Sequence, residues 1–254
     1  MGYWDPVSST IDWCEPNYVV SYYIAEFWNT ISNLSFLVLG FYGLYRSIVL
    51  EFEWRFILMY TNVMIVGLGS AMFHGSLTLI SQQCDETPMI WSMLIWTYIL
   101  YSPLWQGNYA CEIAMRWLLA LFGIGFAIAH AMYSFVLAFQ LLFAGMCLFC
   151  LVRVYLYYIE IPSIPARRLA KSYICTALIG TACWMLDYHH CDNKFNLYGH
   201  AWWHFFMGLN AYYGPLFTQY VRAHQLKWSP AVANTKVVLL STILIDKQLE
   251  SKSE

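Results

Sequence analysis

The amino-acid sequence predicts an all-α membrane protein: a bundle of seven transmembrane helices with its N-terminus lumenal or outside the cell and its C-terminus in the cytosol. Of the 254 residues, 60% are hydrophobic and only 11% are charged, whereas soluble domains carry roughly 25% charged residues. Several stretches reach the ~20 apolar residues that a membrane-spanning helix needs, and short polar turns separate them. The net charge of −2 is small, so we expect no nucleic-acid partner and a substrate that comes from lipid.

The predicted elements follow in order along the chain. An N-terminal segment at residues 1–28 has no Lys or Arg and no apolar run, so we expect a retained lumenal segment rather than a signal peptide. The transmembrane domain occupies residues 29–221, and a cytosolic tail follows at 222–254. Within the tail, the apolar run 237–245 is too short to span a membrane and predicts an interfacial segment. The seven spans are expected at residues 29–48, 56–80, 88–104, 113–130, 131–152, 172–188 and 200–221.

Lysine and arginine indicate the orientation, because they accumulate in cytosolic loops. With a non-cytosolic N-terminus, all but one of the 13 Lys and Arg residues fall on the cytosolic side, and the exception is Lys194. A miscount of one helix would mix the two groups, so the pattern supports an odd number of spans. The cytosolic group comprises Arg46, Arg55, Arg116, Arg153, Arg167, Arg168, Lys171, Arg222, Lys227, Lys236, Lys247 and Lys252.

Ionisable residues inside a span are costly and therefore suggest function, and three histidines that lie inside predicted spans form a group. His200 and His204 are four residues apart and share one helix face, a spacing that suits two ligands of one metal. On their own they would equally suit interfacial histidines among tryptophans. His74 ends the second span on the same side of the membrane from which the seventh span starts, so all three are expected at similar depth. Three neutral imidazoles with a fourth position open to water are typical of a catalytic zinc site.

Two further residues near these histidines could take part in chemistry. Ser70 lies one turn before His74 on the same face and could donate a hydrogen bond to a developing oxyanion. Asp85 is predicted in the loop after the second span, where it could accept a proton from water. The simpler interpretations are a serine bonded to its own helix and a solvated loop aspartate.

The remaining polar residues on the non-cytosolic side indicate function less specifically. The carboxylates and amide at residues 12–17, with Glu26, would suit Ca²⁺, although a solvated acidic tail explains the spacing more simply. Three cysteines share the side on which disulfides persist, and the sequence leaves their pairing open; they are Cys14, Cys84 and Cys191. Four other histidines are interpreted as interfacial, namely His130, His189, His190 and His224.

These residues fall into four blocks that together resemble the alkaline ceramidase family, of the phytoceramidase-like branch, over nearly the whole chain. The blocks are Asp12-Trp13-Cys14-Glu15 with Asn17-Tyr18; Ala25-Glu26-Phe27-Trp28-Asn29-Thr30 with Ser32-Asn33; Gly67 to His74 followed by Asp85-Glu86; and Gly199-His200-Ala201-Trp202-Trp203-His204.

The resemblance implies a seven-helix intramembrane amidase of the endoplasmic reticulum or Golgi membrane. Such an enzyme hydrolyses a ceramide-type lipid, N-acylsphingosine or phytoceramide, to a sphingoid base and a free fatty acid. It implies a catalytic Zn²⁺ on the three histidines, with zinc-bound water as the nucleophile and Asp85 and Ser70 as its partners. It also implies a disulfide between Cys14 and Cys191 and a regulatory or structural Ca²⁺. The implied calcium ligands are Asp12, Glu15, Asn17, Glu26 and the carbonyl of Trp13.

Two other classes of protein stay open at this point. One is a seven-helix lipid receptor that binds zinc through histidines, as adiponectin-type receptors do; it would place the N-terminus in the cytosol, against the charge pattern. The other is a non-catalytic lipid carrier, which would not release fatty acid.

Overall fold

The computed structural model describes residues 2–191, 198–235 and 240–245. Apart from one 3₁₀ turn and one two-stranded sheet, the regular secondary structure of the described residues is α-helical, in agreement with the predicted all-α class. Seven of these helices are 16 to 27 residues long. The elements are α1 Phe27–Ser32, α2 Leu34–Val49, α3 Trp54–Ser76, α4 Leu79–Tyr101, a 3₁₀ turn Ser102–Trp105, α5 Tyr109–Tyr133, α6 Val136–Glu160, α7 Ile164–His189, α8 Gly199–Gln225, β1 Pro230–Asn234 and β2 Ser241–Ile245.

Four of the described helices, α3, α5, α6 and α7, are long and apolar enough to cross a membrane. Helix α2 is shorter, at 16 residues. Helices α4 and α8 are long, but each carries polar side chains that are buried inside the bundle, among them Gln82, Glu86, His200, His204, Asn210 and Gln219. Their polarity therefore comes from residues that face other helices, which is where polar groups lie in membrane bundles.

The helices pack around α3, α4 and α8. Helix α8 lies along α7, α3 lies along α4, and α2 contacts both α3 and α8, while α5 and α6 both pack against α4. The core between α3 and α8 contains fully buried Tyr60 and Phe217. The outer faces of α5 and α6 expose large apolar side chains such as Leu118 and Leu148. Helices α3, α4 and α8 therefore form the centre of the bundle, and α5 and α6 lie at its edge.

The start of α4 differs from the prediction, which placed a loop at residues 81–87. Leu77 ends α3 in the left-handed conformation, with φ of 48°. Thr78 then caps α4 reciprocally with Ser81, an arrangement that begins a helix at once. The polar run from Ser81 to Glu86 lowers the local hydropathy, and this hid the first two turns of α4. Asp85 consequently lies on a helix and not in a loop.

The C-terminal apolar run, predicted to be an interfacial segment, is described only from residue 240 onward. Its described part forms β2, which pairs with β1 in antiparallel register. Ile243 is buried, and its carbonyl accepts a hydrogen bond of 2.7 Å from Arg46. Part of this apolar run therefore packs as a strand against the helix ends. Several residues used in the sequence interpretation, including Lys194, Lys236, Val237, Lys247 and Lys252, lie outside the described residues.

Candidate functional site

Three buried histidines converge where α3 ends and α8 begins. One ring nitrogen from each of His74, His200 and His204 lies within 4.8 Å of the others. The Nε2 atoms of His74 and His200 are 3.2 Å apart, close to the separation of about 3.4 Å that two tetrahedral nitrogen ligands keep at zinc distances. The three rings are 0%, 5% and 3% exposed respectively. This donor set could hold a metal ion such as zinc.

Local backbone features place these rings. Tyr198 adopts a left-handed conformation, with φ of 49°, and α8 starts at the next residue. At that residue, Gly199, an added Cβ would lie 2.5 Å from the carbonyl oxygen of Cys183, so only glycine allows α8 to start so close to α7. Asp187 is buried on α7, and its carboxylate accepts from the first backbone amides of α8. The start of α8, and His200 with it, is therefore fixed against α7.

The outward-facing nitrogens of two rings have specific partners. His74 Nδ1 lies 2.5 Å from a carboxylate oxygen of Glu26, and His204 Nδ1 lies 2.9 Å from the hydroxyl of Ser32. A hydrogen bond at Nδ1 leaves Nε2 free as a lone-pair donor, which is how histidine ligands are oriented in metal sites. The Nδ1 atom of His200 makes no hydrogen bond within the described residues. Trp13 instead stacks on that ring, with centroids 3.7 Å apart.

Ser70 and Asp85 lie together beside the histidines. The hydroxyl of Ser70 is 3.4 Å from His204 Nε2, and the Ser70 side chain also interacts with the carboxylate of Asp85. Gly69 makes this approach possible, since an added Cβ would lie 1.9 Å from the carbonyl oxygen of Cys84. The absence of a side chain at Gly69 lets α3 and α4 touch and brings Asp85 to the histidine cluster.

The predicted calcium residues form a partly assembled group beside the zinc-type cluster. The Asn17 amide donates to both carboxylate oxygens of Asp12 at 3.2 Å, and the Asn17 carbonyl oxygen is buried without a partner among the described residues. Glu26 accepts from the backbone N–H of Trp13 at 3.0 Å. Both oxygens of Glu15 accept from backbone amides at the start of α1, at 2.7 and 2.8 Å.

The electrostatics of this group favour a cation. The chain has no Lys or Arg before Arg46. Burial raises the pKa of Glu26 to about 7, and burial also raises the pKa of Asp12 and of Glu15. A bound cation would compensate these desolvated carboxylates, so the oxygen donors present fit Ca²⁺ in type.

Cys14 and Cys191 form a disulfide, the pairing that the resemblance implies. It joins the N-terminal segment to the residues just after α7. The backbone N–H of Cys14 also donates to the carboxylate of Asp187 at 3.3 Å. Both links hold Trp13 over the His200 ring. Cys84, the third candidate for pairing, is a free and exposed cysteine.

One histidine interpretation was wrong. His130 is 1% exposed, and its Nε2 lies 2.6 Å from a carboxylate oxygen of Glu86, which is itself buried. The other three histidines interpreted as interfacial, His189, His190 and His224, are exposed. The sequence did indicate that His130 has a partner, because an ionisable residue in an apolar helix requires one. It did not indicate that this partner is Glu86.

Comparisons with known proteins show to which family the sequence is similar. A family model described as Ceramidase matches residues 5–240. An alkaline ceramidase from Arabidopsis thaliana is 42% identical over 91% of this chain and 90% of its own length. Alkaline ceramidase 3 from Mus musculus is 32% identical over 91% of this chain and 90% of its own. An alkaline ceramidase from Drosophila melanogaster is 29% identical over 82% of this chain and 75% of its own.

Proposed function

The chain belongs to the ceramidase family, and we propose that it is a zinc-dependent intramembrane amidase that hydrolyses a ceramide-type lipid to a sphingoid base and a fatty acid. The observation that carries the zinc dependence is the convergence of three buried imidazoles, with ligand atoms within 4.8 Å of one another. Two of these rings have partners at Nδ1 and direct Nε2 toward the shared position. Beside the rings lie the hydroxyl of Ser70 and the carboxylate of Asp85, two groups that can assist the hydrolysis of an amide.

A zinc ion held by these rings would act as a Lewis acid and lower the pKa of bound water to ~7. Asp85 is suited to accept the proton of the attacking water and to deliver it to the nitrogen of the leaving amine. Ser70 would donate its hydroxyl hydrogen to the carbonyl oxygen as negative charge develops there. Glu26 would hold His74 in the tautomer that presents Nε2.

The calcium site is a second part of the proposal. Asp12, Glu15, Asn17 and Glu26, with the carbonyl of Trp13, would supply hard oxygen ligands. The unpartnered Asn17 oxygen and the buried carboxylates support this assignment. Because Glu26 contacts His74 directly, a cation here would fix the carboxylate that orients a zinc ligand. We therefore assign Ca²⁺ a structural or regulatory role.

The proposed topology has seven spans, α2 to α8, with the N-terminus lumenal and the C-terminus cytosolic, in the endoplasmic reticulum or Golgi membrane. The distribution of Lys and Arg supports this orientation. Glycosylation of a sequon tag fused before Met1 tests it, because only a lumenal tag would be modified. An unmodified tag would contradict the orientation and favour a receptor of the adiponectin type.

The zinc assignment is tested on purified protein by metal analysis combined with a ceramide hydrolysis assay. We expect one zinc per chain, fatty-acid release that a chelator stops, and recovery on adding zinc. His200→Ala should lose both zinc and turnover, whereas the control His189→Ala, at an exposed position, should keep both. Full activity in His200→Ala would refute the zinc site, and zinc binding without fatty-acid release would instead favour a carrier.

A further inference from the structure

Four aromatic residues of the N-terminal segment pack against one another outside the histidine site, and they are called the aromatic cluster below: Tyr3, Trp4, Tyr22 and Tyr23. The ring of Tyr3 has its centroid 4.8 Å from that of Trp4 and 5.6 Å from that of Tyr23. The backbone N–H of Tyr3 donates to the carbonyl of Tyr22 at 2.9 Å, and the indole N–H of Trp4 donates to the carbonyl of Tyr23 at 3.0 Å. All four residues are nevertheless between 45% and 65% exposed.

Two valines extend this exposed surface. Val19 and Val20 are 73% and 54% exposed. They lie in a loop that is closed by a hydrogen bond of 2.7 Å from the N–H of Tyr18 to the carbonyl of Ala25. A contiguous exposed surface of aromatic and aliphatic side chains marks a place where a protein contacts a partner or a membrane.

The loop is attached to the bundle beside the histidine site. The backbone N–H of Ala25 donates to the carbonyl of Gly75 at 3.0 Å, and the N–H of Glu26 donates to the carbonyl of His74 at 2.9 Å. Both acceptors lie in the last turn of α3. In the proposed topology, the aromatic cluster therefore lies at the non-cytosolic end of α3.

The exposed apolar faces of two helices end close to this attachment in the sequence. On each helix, exposed apolar or aromatic side chains recur at intervals of three or four residues, so they share one face. These residues are Ile65, Leu68 and Met72 on α3, and Leu34, Val38, Phe41 and Tyr45 on α2. Met72 lies three residues before Gly75, and in a membrane bundle such a face contacts lipid. On α1, Trp28 is exposed and lies three residues after Ala25. The aromatic cluster thus continues the lipid-facing surface at its non-cytosolic end.

The chemistry of this surface fits the headgroup region of a bilayer. Tyr and Trp are enriched at membrane–water interfaces, because their rings are apolar while their O–H and N–H groups are polar. The chain has no Lys or Arg before Arg46, so the segment lacks the basic residues that bind anionic lipids. The expected occupant is therefore a layer of zwitterionic headgroups, into which the aromatic rings insert.

We propose that the aromatic cluster, together with Val19 and Val20, is an anchor that lies in the headgroup region of the non-cytosolic leaflet. This inference rests on the topology given in the proposed function. Because the loop is bonded to the last turn of α3, the anchor holds His74 and the other two histidines close to the headgroups. The amide of a ceramide-type lipid lies at a similar depth, since it joins the polar end of the lipid to its acyl chain.

The test is the accessibility of Trp4 in the full-length protein, reconstituted into phosphatidylcholine nanodiscs. The emission of Trp4 is obtained as the difference between the wild type and Trp4→Phe, which keeps an aromatic ring. Two quenchers are compared, namely phosphatidylcholine brominated on the acyl carbons near the glycerol, and iodide in the water. We expect the brominated lipid to remove most of the Trp4 emission and iodide to remove little of it.

Two other tryptophans calibrate the measurement by the same subtraction. Trp28 is exposed on α1, and brominated lipid should quench it. Trp96 is 3% exposed, in the core, and neither quencher should reach it. Zinc content and melting temperature are measured for every variant, so that misfolded protein is recognised independently of fluorescence. If Trp4→Phe does not fold, Tyr22→Trp places a probe in the same cluster, and its added emission should show the pattern expected of Trp4.

A second set of variants tests whether the cluster itself holds Trp4 in the lipid. Tyr22→Ser combined with Tyr23→Ser removes two of the four rings and should make Trp4 accessible to iodide. Tyr109→Ser is the matched control, because Tyr109 is an equally exposed tyrosine at the start of α5, at the opposite end of the bundle in the proposed topology. This variant should leave the quenching of Trp4 unchanged.

The inference is overturned if iodide quenches Trp4 and the brominated lipid does not, because the cluster would then face water and be free for a protein partner. It is equally overturned if neither quencher reaches Trp4, because protein, such as a second copy of the chain, would then cover the cluster. Failure of the proposed function would look different. In that case the protein would release no fatty acid from ceramide although lipid quenches Trp4, and a wrong orientation would be recognised separately by the sequon tag.

Discussion

Replacing Glu26 by Gln should weaken zinc binding by 10- to 100-fold. Glu26 is fully buried and accepts three hydrogen bonds: one oxygen takes the bond from Trp13 N–H, and the other takes those from Asn29 and His74, the last at 2.5 Å. A glutamine amide has only one oxygen. If that oxygen stays on His74 and Asn29, the NH₂ group meets the Trp13 N–H and leaves a buried donor unpaired. That costs about 1–3 kcal/mol.

The consequence for zinc follows from the same geometry. If the amide flips to satisfy Trp13, His74 loses its acceptor, and removing the outer partner of a histidine ligand typically costs 10- to 100-fold in metal affinity or activity. The flipped orientation therefore predicts a loss of about 1.4–2.7 kcal/mol in zinc affinity, and the other orientation predicts a loss of about 1–3 kcal/mol in stability. The assay is competition for zinc against a chromophoric chelator in calcium-free buffer, together with a thermal melt.

Glu15→Gln is the control for this experiment. Glu15 is also buried, and its oxygens accept from backbone amides of Trp28 and Asn29, with no contact to a histidine ring. This variant should lower the melting temperature yet bind zinc with wild-type affinity. Unchanged zinc affinity and stability in Glu26→Gln would refute the reasoning, as would an equal loss of zinc affinity in Glu15→Gln.

Two further predictions concern packing and covalent structure. Gly69→Ala should destabilise the protein by about 1–3 kcal/mol and reduce turnover, because the new methyl group would overlap the carbonyl of Cys84. Gly75→Ala is the control. Its Cβ would meet its nearest atom at 3.9 Å, so both the melting curve and turnover should stay near wild type. Cys14→Ser removes the disulfide to Cys191 and should cost about 2–5 kcal/mol in denaturant unfolding, a loss that reductant should reproduce in the wild type but not add to in the variant.

The sequence predicted the helical class and the three histidines because both signals are local. Long apolar runs make helices whatever their neighbours, and a spacing of four places His200 and His204 on one face. The family assignment followed from ordered motifs, and the comparisons confirm it. The start of α4 was not predicted, because hydropathy averages over a window and the polar run from Ser81 to Glu86 resembles a loop.

The contacts that refine the site could not be predicted, because they join residues far apart in the chain. Glu26 meets His74 across 48 positions, and Ser32 meets His204 across 172. Each partner is an ordinary polar residue at one end of α1, and only the packing of α1 against α3 and α8 brings it to its histidine. The sequence therefore identified the three candidate ligand histidines, while their orienting partners emerged only from the tertiary structure.

His130 shows where sequence interpretation can be improved. It lies one turn before the end of an apolar helix, and a histidine there suits the membrane interface equally well. What distinguishes a buried from an interfacial histidine is the presence of an unpaired carboxylate at the same depth on a neighbouring helix. Glu86 is such a residue, and the prediction of a loop at residues 81–87 concealed it. Once α4 is known to begin at Leu79, Asp85 and Glu86 must point to different neighbours, and a buried carboxylate facing α5 requires a partner such as His130.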